Sequence, residues 1–339
     1  MRPIHTLHDF FVRSGAEVRL YHLGRRVEPC EMATLAALEA GEAPWPLPWQ
    51  GQARLGLVFR LGDMPEPVIW FLALPLDEQG HLDPAPRDAF VQRLLETLGR
   101  SVASVGREES EAVDNLMQDN PLAFTPSLPF QAVLHARARL DLGEPASQHL
   151  EPVEAYLSGQ QALDWQALGL QGLADFVVRM DDAARRQLAA ALPGLPGEVL
   201  TSLCYCLEHV AIDAPLAAAL RARGEAAAAA GDVEALCACL RAAAPAAEAG
   251  AWFDSLLADP HACGPDLLAA IAARGWQHLE DGERLPRYLT RLAECERADF
   301  TRVARDLALI PRLRLPLLMT LREAPADSPV GRRLAALTR

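Results

Sequence analysis

The chain has 339 residues, half of them hydrophobic, and a formal net charge of −13; its 32 basic residues are all arginine. Without lysine there is no P-loop lysine, no Schiff-base lysine and no lysine general base. The acidic balance argues against wholesale nucleic-acid binding, which needs a clustered positive surface.

From the N-terminus, Thr6 to Ser14 reads as a short helix. Thr6 is placed to cap it, Leu7, Phe10 and Phe11 form an apolar face, and Gly15 ends it. Glu17 to Leu23 alternates as a strand should. Gly24 turns the chain, and Arg25 to Glu28 is expected to pair back as a short second strand. Met32 to Glu39 looks helical. Trp45-Pro-Leu-Pro-Trp49 is excluded from regular structure by its two prolines, which lack an amide donor. Ala53 to Leu61 and Val68 to Leu74 form the strongest strand pair, an antiparallel hairpin. The second strand is apolar on both faces, so helices are expected on both sides. Arg87 to Val105 predicts a helix.

These elements make residues 1–105 a small α+β domain with an antiparallel sheet. Residues 106–147 connect it onward, with a helical piece over Glu108 to Gln118 and a helix near Phe130 to Leu140. Residues 148–339 read as helix punctuated by Gly and Pro. Leu200, Leu203, Cys204 and Leu207 form an apolar stripe, and Val233, Leu236, Cys237 and Leu240 repeat it 33 positions on. A period near that length is about one helix pair, which predicts an all-α helical-repeat domain of the HEAT-like, α-solenoid kind. Trp165-Gln-Ala-Leu168-Gly169 partly matches the opening of a tetratricopeptide repeat. The match fails at Gly172, where that repeat requires an aromatic.

Seven scattered cysteines in a chain too large to need staples suggest free, buried thiols in a reducing compartment. The pairs Cys204/Cys206 and Cys237/Cys239 tempt a metal-site reading. Residues two apart on a helix point about 200° apart, so one helix cannot present both thiolates to one ion. Core filling is the better reading, and neither a metal nor a cofactor is expected. The opening residues lack the pattern of a secretory signal, and no apolar run reaches the ~18 residues of a membrane span. A cytoplasmic protein without a membrane partner is the expectation.

Weak site candidates remain. Asp77, Glu78 and His81 follow the hairpin and are the first place to look for a catalytic group; a strand-exit turn with polar caps is the commoner explanation. Arg25 and Arg26 could grip an anion with forked donors, against the simpler reading of a charged turn. Trp45 and Trp49 could present a polyproline ligand to another protein, although two tryptophans around prolines more often clamp a loop to the core. From Arg284 onward arginines outnumber acids, so Arg312 and Arg314 are candidates for binding RNA or an acidic partner; solvated helix faces are the plainer account. No G-x-S-x-G, G-x-G-x-x-G, H-E-x-x-H, EF-hand or spaced C-x-x-C motif is found.

LGRRV (Leu23 to Val27), IWFLALPLDEQGHL (Ile69 to Leu82), DNPLAF (Asp119 to Phe124) and WQALGLQGLADF (Trp165 to Phe176) together resemble a bacterial domain-of-unknown-function family, number 3549. The resemblance covers essentially the whole chain and implies no activity, cofactor or catalytic residue. The leading expectation is a non-enzymatic protein–protein interaction or adaptor scaffold using the helical half. The alternatives are a hydrolase or transferase with its site in the N-terminal domain, and an RNA- or ribosome-associated factor acting through the arginine-rich C-terminal helices.

Overall fold

The structure is a computed structural model that describes residues 4–60, 66–101, 116–117, 120–159 and 164–337. Most of the expected Glu108 to Gln118 helix lies outside them, as do Leu61, Asp119 and the last turn of the expected Arg87 to Val105 helix. The chain divides into two compact units: Met1–Ser127 with Leu309–Pro311, and Leu128–Ala308 with Arg312–Arg339.

In the first unit a four-stranded antiparallel sheet runs β2-β1-β3-β4, with β1 Glu17–His22, β2 Glu28–Cys30, β3 Gln52–Arg60 and β4 Val68–Pro75. Helix α1 (Leu7–Ser14) starts where Thr6 Oγ1 accepts from Asp9 N at 2.9 Å, and it stops at Gly15, whose φ of 66° is left-handed. Strand β2 begins at Glu28, later than the sequence suggests. The reason is Arg25, whose side chain turns inward and pulls Gly24 to Val27 off the sheet edge.

Trp49 and Gln52 close the entry to β3 by exchanging backbone hydrogen bonds. Gln50 and Gly51 both hold positive φ, the two-residue hairpin geometry. Register places Leu57 between Leu20 and Trp70, so one face of the sheet is continuous aliphatic and aromatic. Against it pack Leu7, Phe10 and Phe11 of α1, Leu35 and Leu38 of α2 (Met32–Glu39), and Phe90, Val91 and Leu94 of α3 (Pro84–Ser101). These three helices therefore share one face. On the other face Phe71 meets Phe124, with ring centroids 6.2 Å apart. The DNPLAF segment also covers the outer edge of β4: Ala73 N donates to Leu122 O at 2.7 Å, and Phe124 N to Phe71 O at 3.2 Å. An exposed edge that would template aggregation is thereby paired.

The second unit contains thirteen α-helices, three short 3-10 helices and no strand among the described residues. The α-helices are α4 (Leu128–Asp141), α5 (Leu150–Leu157), α6 (Leu170–Arg179), α7 (Asp182–Ala191), α8 (Gly197–Leu207), α9 (Ala214–Ala229) and α10 (Val233–Ala243). Then come α11 (Ala249–Ala258), α12 (Pro265–Arg274), α13 (Arg284–Glu294), α14 (Phe300–Ala308), α15 (Pro311–Glu323) and α16 (Pro329–Leu337). Aspartates cap several of them; Asp213 Oδ1 accepts from Leu216 N and Asp232 Oδ1 from Ala235 N, both at 3.0 Å. Alternate helices lie side by side: α4 on α6, α6 on α8, α8 on α10, and α10 on α12. Gly172 lets α6 approach the start of α5, since a Cβ there would lie 2.1 Å from the carbonyl oxygen of His149. An aromatic, as the tetratricopeptide pattern demands, has no room.

Candidate functional site

Asp77, Glu78 and His81 form a closed turn. Asp77 Oδ1 accepts from Gln79 N at 2.8 Å and from His81 N at 2.9 Å, and Gly80 supplies the positive φ of 82°. Asp77 and Glu78 face solvent, and the turn is pinned from outside when Trp45 N donates to Gly80 O at 2.9 Å. Trp45 itself is fully buried, with its ring 4.7 Å from that of His22. Burial holds the His22 imidazole down at about 4. Trp49 is half-buried and packs on Gly24, where a Cβ would come within 2.8 Å of the Trp49 Cβ. Arg25 is completely buried. Its Nε donates to Pro48 O at 2.8 Å and its guanidinium lies 5.3 Å from the Trp49 ring centre. Arg25, Trp45 and Trp49 thus tie the WPLPW loop down, while burial raises the pKa of the Glu28 carboxyl and the half-buried Arg26 guanidinium offsets only part of that rise.

A charged group that periodicity assigns to no site lies near α1. Glu39, at the end of α2, accepts from Leu7 N at 2.8 Å and His8 N at 2.9 Å, so it caps α1 from another helix. Arg87 of α3 completes the set at 2.7 Å from Glu39 Oε1, with both side chains buried.

The second unit holds a larger cluster. Glu208 follows α8 and is buried; Arg241 of α10 grips it with two bonds of 2.6 and 2.9 Å, and Arg274 of α12 adds a third at 2.7 Å. His209 Nε2 stands 3.6 Å from the same carboxylate. Burial alone would raise the Glu208 pKa, but Arg274, His209 and Arg241 outweigh it and hold the carboxyl at about 2. Aromatic rings complete the enclosure: the Arg274 guanidinium lies 5.2 Å from the Phe130 ring centre, and Arg241 lies 4.7 Å from that of Tyr205. Glu208, Arg241 and Arg274 recur every 33 residues, the spacing already visible in the leucine stripes. Extending that period from apolar to charged positions would have found them.

Over this cluster runs a groove of about 390 Å³ along α8, α10 and α12. Ala238, Ala269, Ala270 and Ala273 line it, Tyr205 and Arg241 close one end, and Glu234 and Asp266 stand at the starts of α10 and α12. Val233, expected in the core stripe, is 51 % exposed at its lip. Cys237 is likewise half-buried in the groove, and the thiol buried from α10 is Cys239 instead. The helix is rotated from the sequence reading because Ala235, Ala238 and Ala242 point inward and admit close helix contact.

Cys204, Cys206, Cys239 and Cys263 are buried; every cysteine is free. Among the described residues no group of three or more His, Cys, Asp or Glu side chains could hold a metal ion, and no helix is long and apolar enough to cross a membrane. Arg312 is exposed and pairs with Glu280 at 3.3 Å; Arg314 is half-buried on the same helix.

The family described as "Protein of unknown function (DUF3549)" matches residues 2–338, essentially the entire chain. No curated protein and no solved structure matches it.

Proposed function

The chain belongs to the DUF3549 family, and from that premise we propose that it is a non-enzymatic interaction scaffold. Its second unit works as an irregular HEAT-like stack of helix pairs that receives a segment of a protein partner in the groove along α8, α10 and α12. The observation that carries this reading is the groove itself: alanines clear much of its lining to methyl groups, and its rim bears an exposed valine and two acids, Glu234 and Asp266, with no ion pair among the described residues. Stacked helix pairs bind extended partners through such surfaces. The segment that fits presents aliphatic side chains to the alanines and a basic group to Glu234 and Asp266. The buried Glu208 cluster fixes α8, α10 and α12 against one another, so the groove is preformed and little ordering cost falls on binding. The hydrolase or transferase alternative draws less support, because Asp77 spends its carboxylate on its own turn.

A photo-crosslinking residue at position 269, in the exposed lining, tests the reading. The expected result is a discrete protein adduct in cells that disappears when Val233→Glu is added. Equal adducts from position 269 and from position 12, an exposed site in the first unit, would overturn it.

A further inference from the structure

The chain carries a second exposed apolar surface. On α15, Leu313 and Leu317 are buried, while Leu315, Leu318 and Met319 are 66 %, 47 % and 49 % exposed. Their spacing of three and four residues puts them side by side on one outward stripe. Arg312 and Arg322 lie at the two ends of that stripe, both exposed. The stripe belongs to a basic tract: residues 284–339 contain twelve arginines and six acids in a chain that is acidic as a whole.

We propose that this stripe docks into the α8/α10/α12 groove of a second copy of the chain, an inference that rests on the groove being a docking site. The two surfaces are complementary in kind. Leucine and methionine meet an alanine-lined trough, and Arg322, which no ion pair engages among the described residues, meets Glu234 and Asp266, which are unpaired likewise. Charge also selects against the obvious rival. Two stripes packed antiparallel on each other would set Arg312 of one copy against Arg322 of the other, and the arginines would repel. Because stripe and groove are different surfaces, the contact is heterologous and adds copies head to tail.

Sedimentation of the full-length protein over a concentration series tests this. The expected result is a mass that climbs continuously with concentration and falls with added salt. Leu318→Glu and Val233→Glu should each weaken association about tenfold or more. Both positions are exposed, so unchanged circular dichroism and urea midpoints establish that the variants fold. Arg322→Glu and Asp266→Arg should each weaken association, and combining them in one chain should restore it. A monomer at every concentration overturns the proposal, as does a fixed dimer sensitive to Leu318→Glu but indifferent to Asp266→Arg. If the chain stays monomeric while the position-269 adduct to a foreign protein persists, the occupant is wrong and the groove reading stands. If both are lost, both fail. Binding of the protein to anionic vesicles that Leu318→Glu abolishes and Asp266→Arg leaves intact would also overturn the second-copy assignment.

Discussion

Glu208 and Arg274 lie 66 positions apart and meet at 2.7 Å, both buried, with Arg241 midway between them in sequence and bound to the same carboxylate. One carboxylate therefore fastens three helices two apart in chain order. A buried ion pair adds little over apolar packing of the same shape, but removing one member strands the other charges. Glu208→Gln should cost about 3–5 kcal/mol. Replacing Glu208, Arg241 and Arg274 together by Leu and Met should cost much less. Urea unfolding of the two variants checks the order; a single variant no worse than the triple would refute it.

Acid should loosen the two units in different windows. His22 titrates at about 4 when folded and 6.5 as a free side chain, so the unfolded chain takes the proton first. Stability is complete above about 6.5 and declines as pH falls toward 4, by on the order of 3 kcal/mol in total. Glu208 has a folded value near 2 against 4.5; its contribution is present above 4.5 and lost as pH falls through that range to 2. Hydrogen exchange followed by pH should show amides of β1 and β3 opening before those of α8, α10 and α12. His22→Phe should remove the upper window and leave the lower one.

The Glu39–Arg87 pair makes a comparable claim on the first unit. Glu39 neutralises two orphan amides at the start of α1, where a negative charge also meets the positive end of the helix dipole. Glu39→Gln keeps the shape but leaves Arg87 without its buried partner. We expect a loss of about 3 kcal/mol or more in the first unit's unfolding free energy. Glu39→Asp should lose almost as much, since the shorter side chain cannot reach both amides. A change within experimental error in either variant would show the pair to be incidental.

Much of this architecture was legible beforehand, and what was not has a common cause. Thr6, Gly15, the alternation in Glu17 to Leu23 and the β-forming run from Ala53 mark α1 and the strands because caps and strand propensity act through neighbouring residues. The 33-residue spacing showed in leucines because leucine means burial wherever it stands. Arginine and glutamate do not carry that meaning. Arg25, Arg87, Glu208 and Arg274 are buried here by partners 23 to 66 positions away, which local pattern assigns to solvent. Arg25 displaced β2 for the same reason. The groove was hidden differently: it is made of missing bulk at Ala238, Ala270 and Ala273, and it exists only once α10 and α12 lie side by side.

Thiol chemistry gives an independent check on the rotation of α10. Cys237 faces the groove and should alkylate in the native protein, slowly, because burial and Asp266 push its thiol up to about 11. Cys239 of α10 and Cys204 of the neighbouring α8, both buried, should stay unmodified until urea opens the second unit. Tryptic peptide Gly224–Arg241 carries both Cys237 and Cys239, so fragment-ion mass spectrometry within it, after timed alkylation, distinguishes them. Faster labelling of Cys239 than of Cys237 would mean that α10 presents the opposite face.

Gly172 offers the sharpest local test, because two effects of known size oppose each other there. In a helix interior, Gly→Ala ordinarily stabilises by about 1 kcal/mol through backbone entropy. At Gly172 the new methyl would sit 2.1 Å from the His149 carbonyl oxygen and 3.0 Å from a methyl of Val153. A backbone carbonyl cannot swing aside as a flexible side chain can, so α5 must move away from α6, and overpacking of this kind costs about 1–3 kcal/mol or more. Clash wins over propensity: Gly172→Ala should lower the urea midpoint. Gly197→Ala, at the start of α8 with nothing within 4 Å of the added Cβ, should leave it unchanged or raise it. If both alanines shift the midpoint upward, α5 and α6 do not approach each other as closely as the His149 carbonyl requires.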